Sequence, residues 1–268
     1  MASATLYIKN QYGDDKCDYI CDILAVPTSR IYLAPPIVAK WVTSMPTLCI
    51  PSQTEALLLS RPKLENIAGT DDWLLNLSKR IELIANQAKG GTLVLATSYA
   101  QLCAFTTYLS KSSVNQNRLI IQEKYKKVEV NRTLFKQKHA EGIQPVWLAL
   151  GSAWTGLNLK EDNENIEDTL FTDLVITCCP LNNNRSNTML ARIEARSMNP
   201  IIKEALMTLK QGLGRLMRNE KQQGRKIWFL DGRIYHGTWK GMEEMQKSTI
   251  KLLLQYKKVI IFNGDSSK

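Results

Sequence analysis

The chain has 268 residues, 44% hydrophobic and 22% charged, with 14 Gly and 9 Pro; this balance excludes wholesale disorder, collagen-like repeats and mucin-like stalks, and allows one large α/β domain or two small ones. Against 25 acids stand 35 Lys and Arg, a net charge of +10 that favours a polyanionic partner such as nucleic acid without dictating one. No apolar run approaches the roughly 18 residues of a membrane span, and MASATLYIKNQYGDD lacks the basic-then-apolar plan of a signal peptide, so the expected location is cytoplasmic.

Short apolar runs rich in β-branched residues alternate with segments of helical period, the pattern of a βαβ protein with a mainly parallel sheet. Strands are predicted at 47–50, 92–96, 118–122, 145–150, 173–178, 226–230 and 258–262. A helix is predicted over 71–88, where Leu74, Leu77, Ile81, Ile84 and Ala88 recur three and four apart, with Asp71 placed to cap its first turn and Gly90-Gly91 to stop it. Further helices are predicted over 99–110, 131–140, 187–196, 202–218 and 239–255. Glu161, Asp162, Glu164, Glu167, Asp168 and Asp173 mark an acidic, solvated connection between two strands, whereas 111–140 carries eight Lys or Arg against two acids. Six cysteines occur, and their spacing matches neither paired CxxC motifs nor a His/Cys zinc array. Cys49, Cys103, Cys178 and Cys179 lie in apolar stretches and are expected as buried free thiols, with no metal site.

Ligands of open α/β sheets bind where strand ends enter helices, and three such crossings stand out. GGTLVLATSY (90–99) ends a buried strand at Thr97-Ser98, where Ser98 and the first helical amides suit a phosphate, though an ordinary N-cap accounts for Ser98 equally. ALGSAWTGLNL (149–159) sets Gly151, Ser152, Thr155, Gly156 and Asn158 around Trp154 in a small polar turn that lets a backbone approach a ligand. In KQGLGRLMR (210–218) a continued helix puts Leu206, Leu209, Leu213 and Leu216 on one face and Gln211, Arg215 and Arg218 roughly opposite. Gly212 and Gly214 would cost that helix about 1 kcal/mol each, which points to close approach by another backbone or a phosphate; a solvent-facing basic helix fits the spacing equally. The sequence has no GxxxxGK[ST] phosphate loop and no acidic strand-end motif for magnesium.

Together these segments resemble the second RecA-like motor domain of superfamily 2 DNA helicases of the DinG and XPD type. SATL (3–6) is similar to motif III, LAPPI followed by TLCIPS to the serine-proline-aromatic segment and its strand, GGTLVLATSY to motif IV, GSAWTGLNL to motif V and QGLGRLMR to motif VI. IWFLDGRI (227–234) is similar to the closing strand with its aspartate-x-arginine. LFTDLVITCCPL and NRSNTMLARI resemble the DinG-type helicases that accompany type IV CRISPR systems.

The resemblance implies a RecA-like three-layer α/β/α domain spanning 1–268, starting at motif III, with the first motor domain absent. That missing half carries the phosphate loop, the acidic box and any iron–sulfur cysteines, so ATP and Mg2+ are held mainly there and this chain alone is expected to be inactive. The implied function is that of the carboxyl-terminal motor domain of an ATP-dependent, single-strand-translocating DNA helicase of 5′–3′ polarity. Arg215, Arg218 and Gln211 face the γ-phosphate; Gly156, Asn158, Ser3 and Thr5 couple the nucleotide to the strand; Thr97, Ser98, Ser152 and Thr155 contact nucleic acid. The implied partners are single-stranded DNA, the amino-terminal motor domain and a CRISPR ribonucleoprotein. Motif V departs from the family where Thr155 and Asn158 replace acidic residues. A nucleic-acid-binding or scaffold module that kept the motor fold and lost ATP chemistry is the alternative.

Overall fold

Strands that read as unbroken apolar runs must be covered on both faces, and the computed structural model has that arrangement. It describes residues 7–30, 32, 34, 40–62, 66–123, 127–155, 170–181, 186–194, 200–217, 222–235 and 243–264. The chain opens with a small antiparallel hairpin, β1 (Ile8–Lys9) and β2 (Asp15–Lys16), followed by α1 (Asp18–Ile23) and α2 (Trp41–Ser44). Then come β3 (Thr47–Pro51), α3 (Gln53–Leu59), α4 (Ile67–Gln87), β4 (Gly91–Leu95), α5 (Tyr99–Leu109), α6 (Asn115–Arg118), β5 (Leu119–Ile121), α7 (Val128–Ala140) and β6 (Val146–Ala149). The remainder is α8 (Ser152–Thr155), β7 (Phe171–Ile176), α9 (Asn187–Glu194), α10 (Pro200–Leu213), β8 (Lys226–Phe229), α11 (Glu243–Leu253) and β9 (Lys258–Phe262). Strands β3 to β9 form a seven-stranded sheet in the order β5-β6-β4-β7-β8-β3-β9, with every pairing parallel.

Strand periodicity divides the apolar residues between two cores. Leu93 and Leu95 of β4, Trp147 and Ala149 of β6, Leu174 and Ile176 of β7, and Ile227 and Phe229 of β8 face one, where Phe135, Trp154, Leu206, Leu209 and Met245 cover them. Val94, Val146, Leu148, Val175 and Trp228 face the other, beneath Leu77, Ile81, Ile84, Leu102 and Phe105 of α4 and α5. Crossovers toward the β5 edge use the α4 and α5 face and those toward β9 use the opposite face, as right-handed connections require. No described helix is long and apolar enough to cross a membrane.

All seven predicted strands are present, and several local expectations are corrected. Helix α4 starts four residues before Asp71: Asn66 caps it, its side-chain oxygen accepting the Gly69 N–H at 2.9 Å. The same helix ends at Gln87, ahead of the glycine pair, and Gly91 begins β4. Cys103 is exposed on α5 although Cys17, Cys21, Cys49, Cys178 and Cys179 are buried, because its position on that helix points away from the Leu102 and Phe105 stripe.

Asp173 belongs to β7, not to a solvated loop. It is 4% exposed and accepts the Trp228 indole N–H at 2.8 Å, while burial pushes its carboxyl pKa up. The other five acids of that segment lie outside the described residues. Arg118, counted with the basic 111–140 stretch, ties the sheet edge to α4 by donating to Gln144 O at 2.9 Å, Asn86 Oδ1 at 2.9 Å and Ala85 O at 2.6 Å. Helix α10 stops at Leu213, so Leu216 and Arg215 do not extend its faces; Leu216 is buried nonetheless.

Candidate functional site

The carboxyl ends of β6, β4, β7 and β8 lie side by side, and three of the marked segments meet there. After β4 the chain turns at Thr97 into α5, with Ser98 as its N-cap, its hydroxyl accepting the Gln101 N–H at 3.3 Å. Gln101 is buried and gathers the turn. Its Oε1 accepts the Thr97 N–H at 2.8 Å, the Thr97 hydroxyl at 3.3 Å and the Thr177 hydroxyl at 3.3 Å. Its Nε2 lies 3.5 Å from Cys178 Sγ, joining the ends of β4 and β7. Gln101 is absent from the sequence-derived candidates, although Ser98-Tyr99-Ala100-Gln101 has capping-box spacing. Gln101→Leu leaves the Thr97 N–H without that acceptor, and is expected to cost about 1–3 kcal/mol. This would be read as a lower denaturant midpoint at unchanged slope.

After β6, Gly151 takes a left-handed φ of 59° and feeds the single turn of α8, which carries Ser152, Trp154 and Thr155. The Trp154 indole N–H donates to Ala96 O at 2.9 Å, at the end of β4. Its ring lies against α10, where a Cβ added to Gly212 would stand 2.6 Å from Trp154 Cε3 and 2.8 Å from Cζ3. The close approach expected from the glycines is therefore made at Gly212 by an indole ring, not by a backbone or a phosphate. Gly214 lies in the turn beyond α10 and has only ordinary contacts.

That turn places Arg215. Gly214 N–H donates to Lys210 O at 3.1 Å and Arg215 N–H to Gly212 O at 3.0 Å, taking the chain off the helix. Arg215 Nε–H then donates to Trp154 O at 3.1 Å. Gln211 remains on α10, half-buried. One residue earlier, Lys210 Nζ donates to Tyr7 O at 2.6 Å, and burial lowers its pKa.

After β8, Asp231 is completely buried and bonded to Arg233: Nε to Oδ1 at 2.8 Å and Nη2 to Oδ2 at 2.6 Å. Its Oδ2 also accepts the Cys179 N–H at 2.9 Å, locking the end of β7 to the turn after β8. Burial alone would raise the Asp231 pKa, but the Arg233 charge and these hydrogen bonds bring it below the usual carboxylate value. Between them, Gly232 presses on α3 so closely that a Cβ would stand 1.9 Å from Ala56 O.

Residues 81–248, more than half of the chain, match the family model described as the helicase C-terminal domain. The chain belongs to that family. Comparison with curated proteins gives no match. Among solved structures, this helicase domain is similar to an XPD helicase, with 19% identity, a TM-score of 0.59, and coverage of 91% of this chain and 41% of that one. An XPD apo structure gives 16% identity, a TM-score of 0.54, and coverage of 82% and 40%. Xpd4 of S. tokodaii gives 19% identity, a TM-score of 0.50, and coverage of 89% and 43%. The chain thus spans about two-fifths of the length of these structures, and its three-layer fold is RecA-like, as theirs is.

Of the residues marked in this helicase domain, Thr97, Ser98, Ser152, Thr155, Gln211 and Arg215 are described, and the segments carrying them converge on the carboxyl edge. Ser3, Thr5, Gly156, Asn158 and Arg218 lie outside the described residues. Trp154, named only as the centre of the motif V turn, makes the contacts that bring the three segments together.

Proposed function

We propose that this helicase domain is a single motor domain from the carboxyl-terminal half of an ATP-dependent motor that moves 5′–3′ along single-stranded DNA. In this reading an amino-terminal motor domain faces it and holds ATP and Mg2+. Arg215 and Arg218 point to the γ-phosphate with Gln211 beside them. Ser3, Thr5, Gly156 and Asn158 relay nucleotide state, and Thr97, Ser98, Ser152 and Thr155 meet the DNA backbone. The carrying observation is the Trp154 O to Arg215 Nε bond, which sets a guanidinium beside the strand ends of an α/β sheet.

Arginine forks match phosphate oxygens, and an arginine at the γ-phosphate stabilises charge that develops during transfer. The donor set here, arginine and backbone amides, suits phosphate rather than a divalent cation, consistent with Mg2+ being held by the facing domain. Closure of the two domains around nucleotide and reopening after hydrolysis would advance the backbone contacts along the strand. The net charge of +10 supports sequence-independent, salt-sensitive binding. Placement in the DinG branch, with a type IV CRISPR ribonucleoprotein as a partner, rests on the LFTDLVITCCPL and NRSNTMLARI segments.

Mixed with its amino-terminal motor domain, the chain is expected to hydrolyse ATP only when single-stranded DNA is present. Arg218→Ala is expected to abolish that turnover, and full activity in the variant would overturn the assignment of the phosphate-facing group.

A further inference from the structure

We propose that Trp154 is a positioning residue that couples Arg215 to the Thr97-Ser98 turn, so that the arginine and the DNA-facing end of β4 move as one unit. The inference rests on the motor reading above and adds a route between its two ligands. Three contacts converge on one residue that is 3% exposed. Its carbonyl accepts Arg215 Nε–H at 3.1 Å, its indole N–H donates to Ala96 O at 2.9 Å, and its ring occupies the space a side chain at Gly212 would need.

The mechanics follow from stiffness. An indole has two side-chain torsions, and here one end of the residue is tied to Arg215 while the other is tied to the β4 terminus. Sliding is blocked on the α10 side, because Leu95 Cδ1 shares the Gly212 wall, 3.3 Å from the same added Cβ. Ala96 N–H donates to Ala149 O at 2.9 Å, and Thr97 immediately follows. A displacement of Arg215 that drags the Trp154 carbonyl is therefore delivered to Ala96 O, next to Thr97. Spatial intermediacy alone does not demonstrate coupling, so the test is a double-mutant cycle.

Arg215→Lys keeps the positive charge and removes the Nε–H donor. Trp154→Phe removes the indole N–H and keeps a ring against Gly212. The readout is the dissociation constant of this chain for a single-stranded oligonucleotide at fixed salt. Each single variant is expected to weaken binding by about fivefold, and the double variant by no more than either alone, within the range for residues in contact. Multiplying effects, about 25-fold in the double variant, would overturn the inference.

In the chain assembled with its amino-terminal motor domain, Trp154→Phe is expected to lower DNA-stimulated kcat about tenfold, with the KM for ATP within twofold. Trp147→Phe, in the core away from this edge, supplies the comparison for a purely structural change and is expected to leave the stimulation ratio unmoved. If Trp154→Phe does not fold, Gly212→Ala replaces it: its methyl displaces the ring while every hydrogen-bonding group stays. A folded Gly212→Ala with native DNA affinity and stimulation would overturn the inference. Failure of the native chain, assembled with its amino-terminal motor domain, to hydrolyse ATP in response to single-stranded DNA would instead overturn the motor reading, whatever the cycle gives.

Discussion

Arg215→Ala is expected to reduce DNA-stimulated ATP turnover by about 10³-fold or more in the chain assembled with its amino-terminal motor domain, the scale on which an arginine at a transferring phosphoryl group acts. An interaction made only as charge develops lowers kcat and kcat/KM together, so the KM for ATP is expected to change little. Arg215→Lys is expected to fall between. It keeps the charge, but a point-charge ammonium cannot fork across two phosphate oxygens, and it has no atom equivalent to the Nε that bonds Trp154 O at 3.1 Å. Steady-state ATPase at saturating single-stranded DNA checks both variants. A loss of less than tenfold in Arg215→Ala would place the phosphate-facing group elsewhere.

The strands were legible because burial on both sheet faces demands continuous apolar runs. TLVLA and PVWLA supply alternate residues to two cores, and that demand survives without any knowledge of partners. Helix starts were less legible. The apolar stripe of α4 becomes regular only after Asp71, whereas the first turn is set by one Asn66 side chain on the Gly69 amide, a local bond that leaves no periodic trace. Gly212 illustrates the limit for the site. The sequence announces that something must come close to this helix, and an indole 58 residues away fills the space; glycine records the demand for room and not the identity of the occupant. Gln101 was readable from capping-box spacing. Its reach to Thr177, across the sheet at the end of β7, was not, since strand order is a tertiary property.

Asp231→Asn is expected to destabilise the domain by about 3–5 kcal/mol, because Arg233 would keep its buried charge and lose the carboxylate that forks with it. For a domain of this size the melting temperature should fall by roughly 10 °C. The fully buried carboxylate accepts both guanidinium bonds and the Cys179 amide, so few of its lone pairs remain for compensation. Its folded-state pKa lies below the unfolded value, so the stabilisation is complete above the unfolded carboxylate pKa, about 3.9, and is lost as pH falls through the folded value. The difference in stability between the native protein and Asp231→Asn should therefore be full at neutral pH and shrink in acid. Denaturant titrations of the two proteins at several pH values measure this; a constant difference would show that shape rather than charge pairing sets the cost. Replacing both partners, Asp231→Leu with Arg233→Met, should cost less than the single change, since no buried charge is left unpaired. The pair holds the end of β7 against the turn after β8, and Gly232 seats that turn on α3. The proposed passage of movement from Arg215 to Thr97 needs such rigidity, since compliant strands between them would absorb it.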